Sequence, residues 1–244
     1  DRPRQARPRA SGETRRRGGA GVVIRRAVTV LATLLAFQAQ AQEFVPANGK
    51  QSDEDFYRLV ACAAPPGGKC QKPLVRWRAR DAKDLSLGIL YVAEGFPPRL
   101  RVQVEEGLDR AIDKLNASGA SLRIRHAKSS ETPDIKILFL DIPEGATITG
   151  TGIRALEDVV IGAATMTISW RDDRTLTDCY ISSSNSARFG EVYSVMLEEL
   201  TQCMGLWTDI GGSYYESRSI FSESSNSLVR LGEQDLMALR RHYP

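Results

Sequence analysis

Four side chains that could do acid–base or ligand chemistry fall within the stretch VMLEELTQCMGLWTD, residues 195–209. At about 100° per residue, Glu199 lies in the middle of the apolar face of the helix predicted here. Glu198 and Gln202 cluster with Glu191 along one edge of that face, and Asp209 follows the helix. A buried carboxyl needs a partner or takes a raised pKa. Glu199 is therefore a candidate general base or, equally, a member of a structural hydrogen-bond network.

The donor types in this stretch are a poor match to zinc, which prefers imidazole nitrogen or thiolate sulfur. Gln202 offers only a neutral amide oxygen. Together with Glu198 and Asp209, it could instead hold a hard cation such as Ca²⁺ or Mg²⁺. The chain has two histidines, too few for a three-imidazole site, and both His126 and His242 are interpreted as ordinary surface or structural residues. The sequence therefore predicts no bound metal and no cofactor.

Hydrophobic periodicity places this helix in an α+β domain. The predicted strands cover residues 85–92, 121–127, 134–142, 159–170 and 176–183, of which 134–142 is apolar enough to be central and 159–170 is expected at the sheet edge. Helices are predicted from Pro97-Pro98 to Asn116, from Asn185 or Ser186 to about Met204 with Gly205 as the stop, and over 233–242. The stretch 42–84 is predicted to be irregular, with VRWRAR as a candidate first strand.

Two segments before Gln42 are predicted to be absent from the mature protein. Residues 1–21 hold seven arginines and almost no aliphatic side chain, which is typical of translated sequence upstream of a true start. Residues 22–41 combine an arginine pair, an apolar stretch and the small-x-small pattern Ala39-Gln40-Ala41. This order predicts a secretory signal peptide cleaved after Ala41, and it fits a short buried helix less well.

Removal of residues 1–41 reverses the net charge. It leaves 24 basic against 28 acidic residues in 42–244, a net charge of −4. This balance gives no electrostatic footprint for nucleic acid. No apolar run reaches the roughly 18 residues that a membrane-spanning helix needs. We therefore expect neither a nucleic-acid partner nor a membrane association after cleavage.

Four cysteines in an exported chain are expected to form disulfides. Cys62 and Cys70 flank a turn-rich loop, AAPPGGK, whose ends are easily brought together. Cys179 on a predicted strand and Cys203 on the buried side of the following helix are left as the second pair. The sequential pairing is favoured over the two other connectivities. A metal site is disfavoured because no C-x-x-C spacing occurs.

Several stretches carry a family resemblance. The string Glu198 to Leu206, EELTQCMGL, resembles the zincin helix H-E-x-x-H-x-x-G with both histidines replaced. Phe221 in SIFS stands where metzincin proteases have the methionine of their methionine turn. The segment from Leu231 to Tyr243 is similar to their terminal helix. The stretches ACAAPPGGKC, VRWR, GTGI, IGAA, MLEELTQ, GL-x-TDI, SIFSE and ALRRHY together resemble the bacterial "domain of unknown function 2927" family of secreted proteins, over roughly residues 55–244.

The resemblance implies a metzincin-like α+β fold, with a twisted mixed sheet, a long amphipathic helix, a degenerate active-site helix and a short C-terminal helix. It divides the mature chain into residues 42–84, with the disulfide loop, and a zincin-like domain over 85–244. A periplasmic or secreted bacterial protein is expected. Thr208 occupies the third zinc-ligand position, with Asp209 one residue later.

Two functions are compatible with a zincin-like helix in which Glu198, Gln202 and Thr208 occupy the zinc-ligand positions. The first is a non-catalytic module that binds a peptide or a cell-wall glycan along the edge strand. The second is a peptidase-like hydrolase in which Glu199 acts as general base, with no metal or an oxygen-ligated one. The first is favoured because no residue in the sequence activates water strongly.

Overall fold

The computed structural model of the chain describes residues 44–244. The predicted upstream segment, signal peptide and cleavage site lie outside the described residues. The described helices are α1 (Asp53–Cys62), α2 (Pro98–Asn116), α3 (Val192–Gln202) and α4 (Glu233–His242). The strands are β1 (Phe44–Pro46), β2 (Leu85–Val92), β3 (Ile124–His126), β4 (Ile135–Phe139), β5 (Ala164–Trp170), β6 (Leu176–Ser183) and β7 (Asp209–Gly211).

Five strands form a mixed sheet in the order β3-β2-β4-β6-β5, in which only β5 runs antiparallel to its neighbour. The short strands β1 and β7 pair in parallel as a separate two-stranded sheet. The predicted α+β class is confirmed, as are the central position of 134–142 and the edge position of the strand in 159–170. None of the helices in residues 44–244 meets the length and hydropathy needed to cross a bilayer.

Strand β4 is central because both of its faces are buried. Ile135, Ile137 and Phe139 point into the main core, whereas Leu138 belongs to a second cluster on the opposite face. Side chains alternate between the faces of a strand, so this pattern requires cover on both sides. The loop over residues 142–161 supplies the cover for the second cluster.

The helix α1 falls in the stretch 42–84, where the prediction of irregular structure is wrong. Ser52 caps the helix by accepting a hydrogen bond from the Asp55 backbone, and acidic residues fill the first turn. Its apolar face, with Phe56, Leu59 and Val60, is fully buried. The Pro- and Gly-rich loop that follows masks this pattern in the sequence.

Two other predicted boundaries are wrong. Helix α3 begins at Val192, not at Asn185 or Ser186, because the Asn185 backbone and amide instead bond Ile142 and Asp141. Strand β5 begins only at Ala164, since residues 159–161 bond back to residues 146 and 148 of the preceding loop. Tertiary hydrogen bonds outside regular elements decide both boundaries.

The segment VRWRAR is not a strand, although Arg76 forms a single bridge to Thr175. Its Trp77, together with Tyr243 near the end of the chain, anchors the end of α3. The Trp77 indole N–H donates to the Cys203 carbonyl at 2.9 Å, and the Tyr243 hydroxyl donates to the Met204 carbonyl at 2.6 Å. Both carbonyls belong to the helix terminus, where backbone acceptors lack partners within the helix.

Both predicted disulfides are present. Cys62–Cys70 closes the loop after α1 with a Cα–Cα distance of 5.1 Å, and Cys179–Cys203 joins β6 to the end of α3 with a distance of 5.7 Å. Both distances lie in the range usual for disulfides. The second bridge fixes α3 against the sheet, one residue beyond Gln202.

Candidate functional site

The structure brings all four predicted site residues into one cleft of about 730 Å³. Glu198, Glu199 and Gln202 lie on α3, and Asp209 opens β7. Glu191, predicted on the same helix edge, also lines the cleft. Thr208, which occupies the third zinc-ligand position of the resemblance, is instead fully buried outside the lining.

Glu199 is the most constrained of these side chains. It is only 8% exposed, and its Oε2 has no hydrogen-bond partner among the described residues. The Met166 backbone N–H of β5 donates to the carboxyl. Burial, and then the negative charge of Asp209, raises the pKa of Glu199 to about 8. The carboxyl therefore carries a proton for most of the time at neutral pH.

Glu198, Asp209 and Gln202 form a hydrogen-bonded group beside it. Burial, followed by the charges of Asp209 and Glu199, raises the pKa of Glu198 well above its usual range. A hydrogen bond to Asp209 acts in the same direction, as expected when a protonated carboxyl donates to an ionised one. The Gln202 amide donates to Asp209 Oδ1 at 2.7 Å. Asp209 is thus the acceptor that organises the group.

Strand β5 forms one wall of the cleft and is the antiparallel edge of the large sheet. The Ser184 N–H bonds the Ala163 carbonyl, and the register pairs Ala164 with Ser183. Hydrogen-bonded and non-bonded pairs alternate in an antiparallel ladder, so the N–H groups of Ala164, Met166 and Ile168 point away from β6. The outer edge of β5 therefore presents backbone donors and acceptors beside α3.

The segment Ser219–Ser222 reaches the cleft lining at Ser222 and is held in place by α4 and β7. Asp235, buried in α4, accepts hydrogen bonds from the Ser219 hydroxyl at 2.6 Å and the Ile220 N–H at 3.0 Å. The Ile210 N–H donates to the Phe221 carbonyl at 2.7 Å, which joins the segment to β7. Phe221 itself is fully buried against Phe56.

Among the lining residues that the sequence does not predict as site residues are Ser222, Glu223 and Trp207. The first two follow Phe221 directly, so the bond between Phe221 and β7 directs them into the cleft. Ser222 is 1% exposed, and its hydroxyl has no partner within the described part of the chain. The stretch SIFSE contains both residues, but only their pairing with β7 shows that they belong to the site.

Acidic groups outnumber basic ones along the lining. Six carboxyl side chains line the cleft against two cations, Lys72 and Arg188. Arg188 pairs with Glu191 at 3.2 Å, and the Lys72 Nζ lies 4.7 Å from the centroid of the Trp207 ring. Within residues 44–244, no group of three or more His, Cys, Asp or Glu side chains is arranged to hold a metal ion.

Neither histidine lines the cleft. His126 lies on β3, is largely exposed and contacts Asp109 at 3.0 Å. His242 is buried between the Tyr57 hydroxyl and the Val75 carbonyl, at 3.1 and 3.0 Å. Burial lowers the pKa of His242 to about 4, so the ring is neutral and donates through Nε2 to the carbonyl. Both positions agree with the structural interpretation of these residues.

A second cavity of about 650 Å³ shares no lining residue with the first. Leu90, Tyr91, Leu138, Leu140 and the loop 147–153 form most of its wall. Asp141, its one titratable carboxyl, accepts a hydrogen bond from Asn185 at 2.7 Å. The acid–base groups predicted from the sequence are therefore confined to the first cleft.

The chain matches no protein-family model and no curated protein.

The titration of Glu199 gives the first testable prediction. Its folded pKa of about 8 exceeds the ordinary 4.5, so the folded state keeps a proton that the unfolded state has lost between these values. The free energy of unfolding should therefore fall as the pH rises from about 4.5 to about 8. Glu199→Gln should flatten this decline and raise stability at about pH 9 by a few kcal/mol, at about 1.4 kcal/mol per pKa unit.

Urea denaturation at about pH 5, 7 and 9 measures this effect. Glu94→Gln, on an exposed residue outside the cleft, is the matched control and should follow the unsubstituted domain. Some decline should persist in Glu199→Gln, because Glu198 and Asp235 also have raised pKa values. Parallel curves for Glu199→Gln and the unsubstituted domain would show that Glu199 does not titrate in this range.

Proposed function

We propose that the domain is a non-catalytic binding module that takes an extended peptide along the outer edge of β5, over the acidic cleft. The observation that carries this proposal is the position of β5: it ends the large sheet and at the same time lines the cleft. An exposed strand edge binds peptides by adding a strand, with main-chain hydrogen bonds for affinity and pockets for specificity. The cleft supplies such a pocket.

A peptide fits this site better than a glycan. The outward N–H groups of Ala164 and Ile168 lie four residues apart with that of Met166 midway, so the three repeat at alternate residues and match the carbonyls of an extended peptide. Sugar hydroxyls do not follow that repeat. The Met166 N–H between them already donates to Glu199. A bound peptide would therefore replace this carboxyl as the acceptor of the Met166 N–H or would hydrogen-bond to the carboxyl itself.

We also propose that the chain belongs to the domain of unknown function 2927 family, with a metzincin-like fold, and that it is a bacterial periplasmic or secreted protein. The antiparallel edge strand beside α3, the buried Phe221 beneath the cleft and the terminal helix α4 support the fold. The two disulfides indicate an oxidising compartment and support the location.

The second candidate function is hydrolysis with Glu199 as general base. The unpartnered Oε2 and the raised pKa favour it, because perturbed carboxyls in clefts are candidates for acid–base roles. Against it, the pKa of about 8 leaves Glu199 largely protonated at neutral pH, and a protonated carboxyl cannot accept a proton from water. Gln202 in place of an imidazole also leaves the helix without good zinc donors. Any hydrolysis by this route would increase through about pH 8.

Peptide binding is tested by a proline at the strand edge. Ala164→Pro removes one outward N–H without breaking the ladder to β6, because proline is tolerated on the free side of an edge strand. The best ligand from an array of random decapeptides should bind this variant at least about tenfold more weakly, roughly 1.4 kcal/mol. Ala164→Ser keeps the N–H and is the control.

Thermal melting shows whether Ala164→Pro keeps the fold. An equal affinity of both variants for the peptide would contradict binding along β5. Binding of chito-oligosaccharides, with none of the decapeptides bound, would show that the ligand is a glycan.

The absence of zinc-dependent proteolysis is a separate expectation. The domain as purified from a periplasm should not carry stoichiometric Zn²⁺, because Glu198 and Gln202 replace the two imidazoles that a borderline-soft ion prefers. Glu199→Gln should change stability or peptide affinity and not peptide cleavage. Elemental analysis and a casein cleavage assay measure these properties. Stoichiometric zinc, or cleavage that Glu199→Gln abolishes in a folded domain, would establish the hydrolase.

A further inference from the structure

We infer that the cleft contains a cation pocket, in which the buried Glu198 and Glu199 of α3 and the half-buried Asp209 of β7 receive a positively charged nitrogen of the bound peptide. This inference rests on the proposed peptide-binding function and names the chemistry that the peptide must carry. The nitrogen can belong to a lysine or arginine side chain or to the peptide's N-terminus.

Two buried acceptors are the first support. Glu199 Oε2 and Ser222 Oγ both belong to residues that line the cleft, at 8% and 1% exposure. Neither atom has a hydrogen-bond partner in the described part of the chain. Leaving a buried polar atom unpaired costs about 1–3 kcal/mol. A ligand ammonium or guanidinium donates several hydrogen bonds and can therefore satisfy buried acceptors of this kind.

The distribution of charge is the second support. The cleft lining combines Glu198, Glu199 and Asp209 with the exposed Glu223, whose charge also acts on Glu198. The two cations of the lining have contacts with Glu191 and Trp207, as described above. A carboxylate cluster of this kind attracts a cation and repels an anionic ligand.

Proton balance makes the inference specific. In the free domain the pKa of Glu199 is raised to about 8, which keeps a proton on its carboxyl near neutral pH, and the pKa of Glu198 is raised as well, because each carboxyl is buried near other acids. A bound ammonium favours the ionised form of a nearby carboxyl, so binding releases a proton from Glu199 to the buffer. Affinity for a lysine or arginine side chain should therefore increase between about pH 6 and pH 9, whereas affinity for an N-terminal amine should stop increasing near its ordinary pKa of about 8.

The pH dependence belongs to the whole lining and not to one residue. The charged groups around the two carboxyls come from every element packed against the cleft. They are Glu191 at the start of α3, Asp209 of β7, Glu223, Glu144, Lys72 and Arg188. Of these, Asp209 contributes to the raised pKa of both Glu198 and Glu199.

Isothermal titration calorimetry with four forms of one peptide tests the inference. The best decapeptide is synthesised with lysine and with uncharged norleucine at each basic position, and each form with a free or an acetylated N-terminus. At about pH 8 we expect the cationic form to bind at least about tenfold more tightly. The lysine pair identifies a side-chain source of the cation, and the acetylation pair identifies the N-terminus.

Variants locate the effect in the pocket. Glu198→Gln and Glu199→Gln should reduce the preference for the cationic peptide, whereas Glu94→Gln, outside the cleft, should leave it unchanged. Titrations in buffers of different ionisation enthalpy should show proton release for the cationic peptide, which Glu199→Gln decreases. The acetylated norleucine peptide should show none.

The outcomes separate the two proposals. Equal affinity for the cationic and the uncharged peptide, with loss of binding in Ala164→Pro, would overturn the cation pocket and leave peptide binding in place. Proton uptake on binding would also overturn it. If no decapeptide binds in either form, the proposed function has failed and the cation pocket with it.

Discussion

Gly205→Ala is expected to destabilise the domain by about 3 kcal/mol or more, because it combines backbone strain with a steric clash. Gly205 follows α3 with φ +91°, a conformation that side chains other than glycine rarely adopt. A Cβ there would lie 2.1 Å from the Val75 carbonyl oxygen, the atom that His242 Nε2 binds. The methyl group would separate the end of α3 from both segments that anchor it.

Gly67→Ala is the matched control for this substitution. Gly67 has φ +68°, but a Cβ at this position would meet no heavy atom within 4 Å. The control therefore measures the backbone strain alone, about 1 kcal/mol. Chemical denaturation gives both values. A loss for Gly205→Ala no greater than that for Gly67→Ala would show that the contact with Val75 does not constrain the end of α3.

Removal of the Cys179–Cys203 bridge is expected to destabilise the domain by a similar amount. The double substitution Cys179→Ala and Cys203→Ala should cost about 3.5 kcal/mol, because this bridge closes a sequence separation of 24 residues. The Cys62–Cys70 bridge closes a separation of 8 residues, so its removal should cost about 2.5 kcal/mol. Both cysteines of the longer loop are also fully buried.

Thermal and urea unfolding compare the two double variants. Because Cys203 directly follows Gln202, loss of the longer bridge should also weaken peptide binding at the Asp209 end of the cleft. Peptide mapping without reduction first verifies the pairing. A smaller loss of stability for Cys179/Cys203 than for Cys62/Cys70 would contradict the role of the bridge in fixing α3 to the sheet.

Local patterns are sufficient for the elements that have strong periodicity. The strands at 85–92 and 176–183 and the helix at 233–242 have the bounds that the sequence predicts. The apolar run at 134–142 correctly predicts the central strand. Each of these segments is decided by its own burial pattern, which the sequence records directly.

The errors occur where tertiary contacts override local signals. The start of α3 depends on Asn185 bonding Ile142 and Asp141, partners about 44 residues earlier in the chain. The stretch VRWRAR alternates like a strand, yet its Trp77 anchors Cys203 across the fold. No pattern within a window of the sequence contains these partners.

The sequence predicts the polar residues of α3 and β7 in the site, but it does not predict the groups that other segments place around them. Glu198, Glu199, Gln202 and Asp209 share the cleft because helix spacing and the turn after Gly205 bring them together. The unpartnered Ser222 hydroxyl and the Met166 N–H on Glu199 depend on packing between distant segments. The Ser222 hydroxyl gives the cleft a buried acceptor without a partner among the described residues, and the Met166 N–H links Glu199 to the strand edge.

Amide hydrogen exchange along β5 is the most direct test of peptide binding at the strand edge. In the free domain, the outward N–H groups of Ala164 and Ile168 should exchange rapidly, whereas the N–H groups of Thr165 and Thr167, which face β6, should exchange slowly. With the decapeptide bound, exchange at Ala164 and Ile168 should slow and exchange at Thr165 and Thr167 should change little. Unchanged exchange at Ala164 and Ile168, with protection confined to the second cavity around Leu90 and Leu138, would contradict a peptide site on β5.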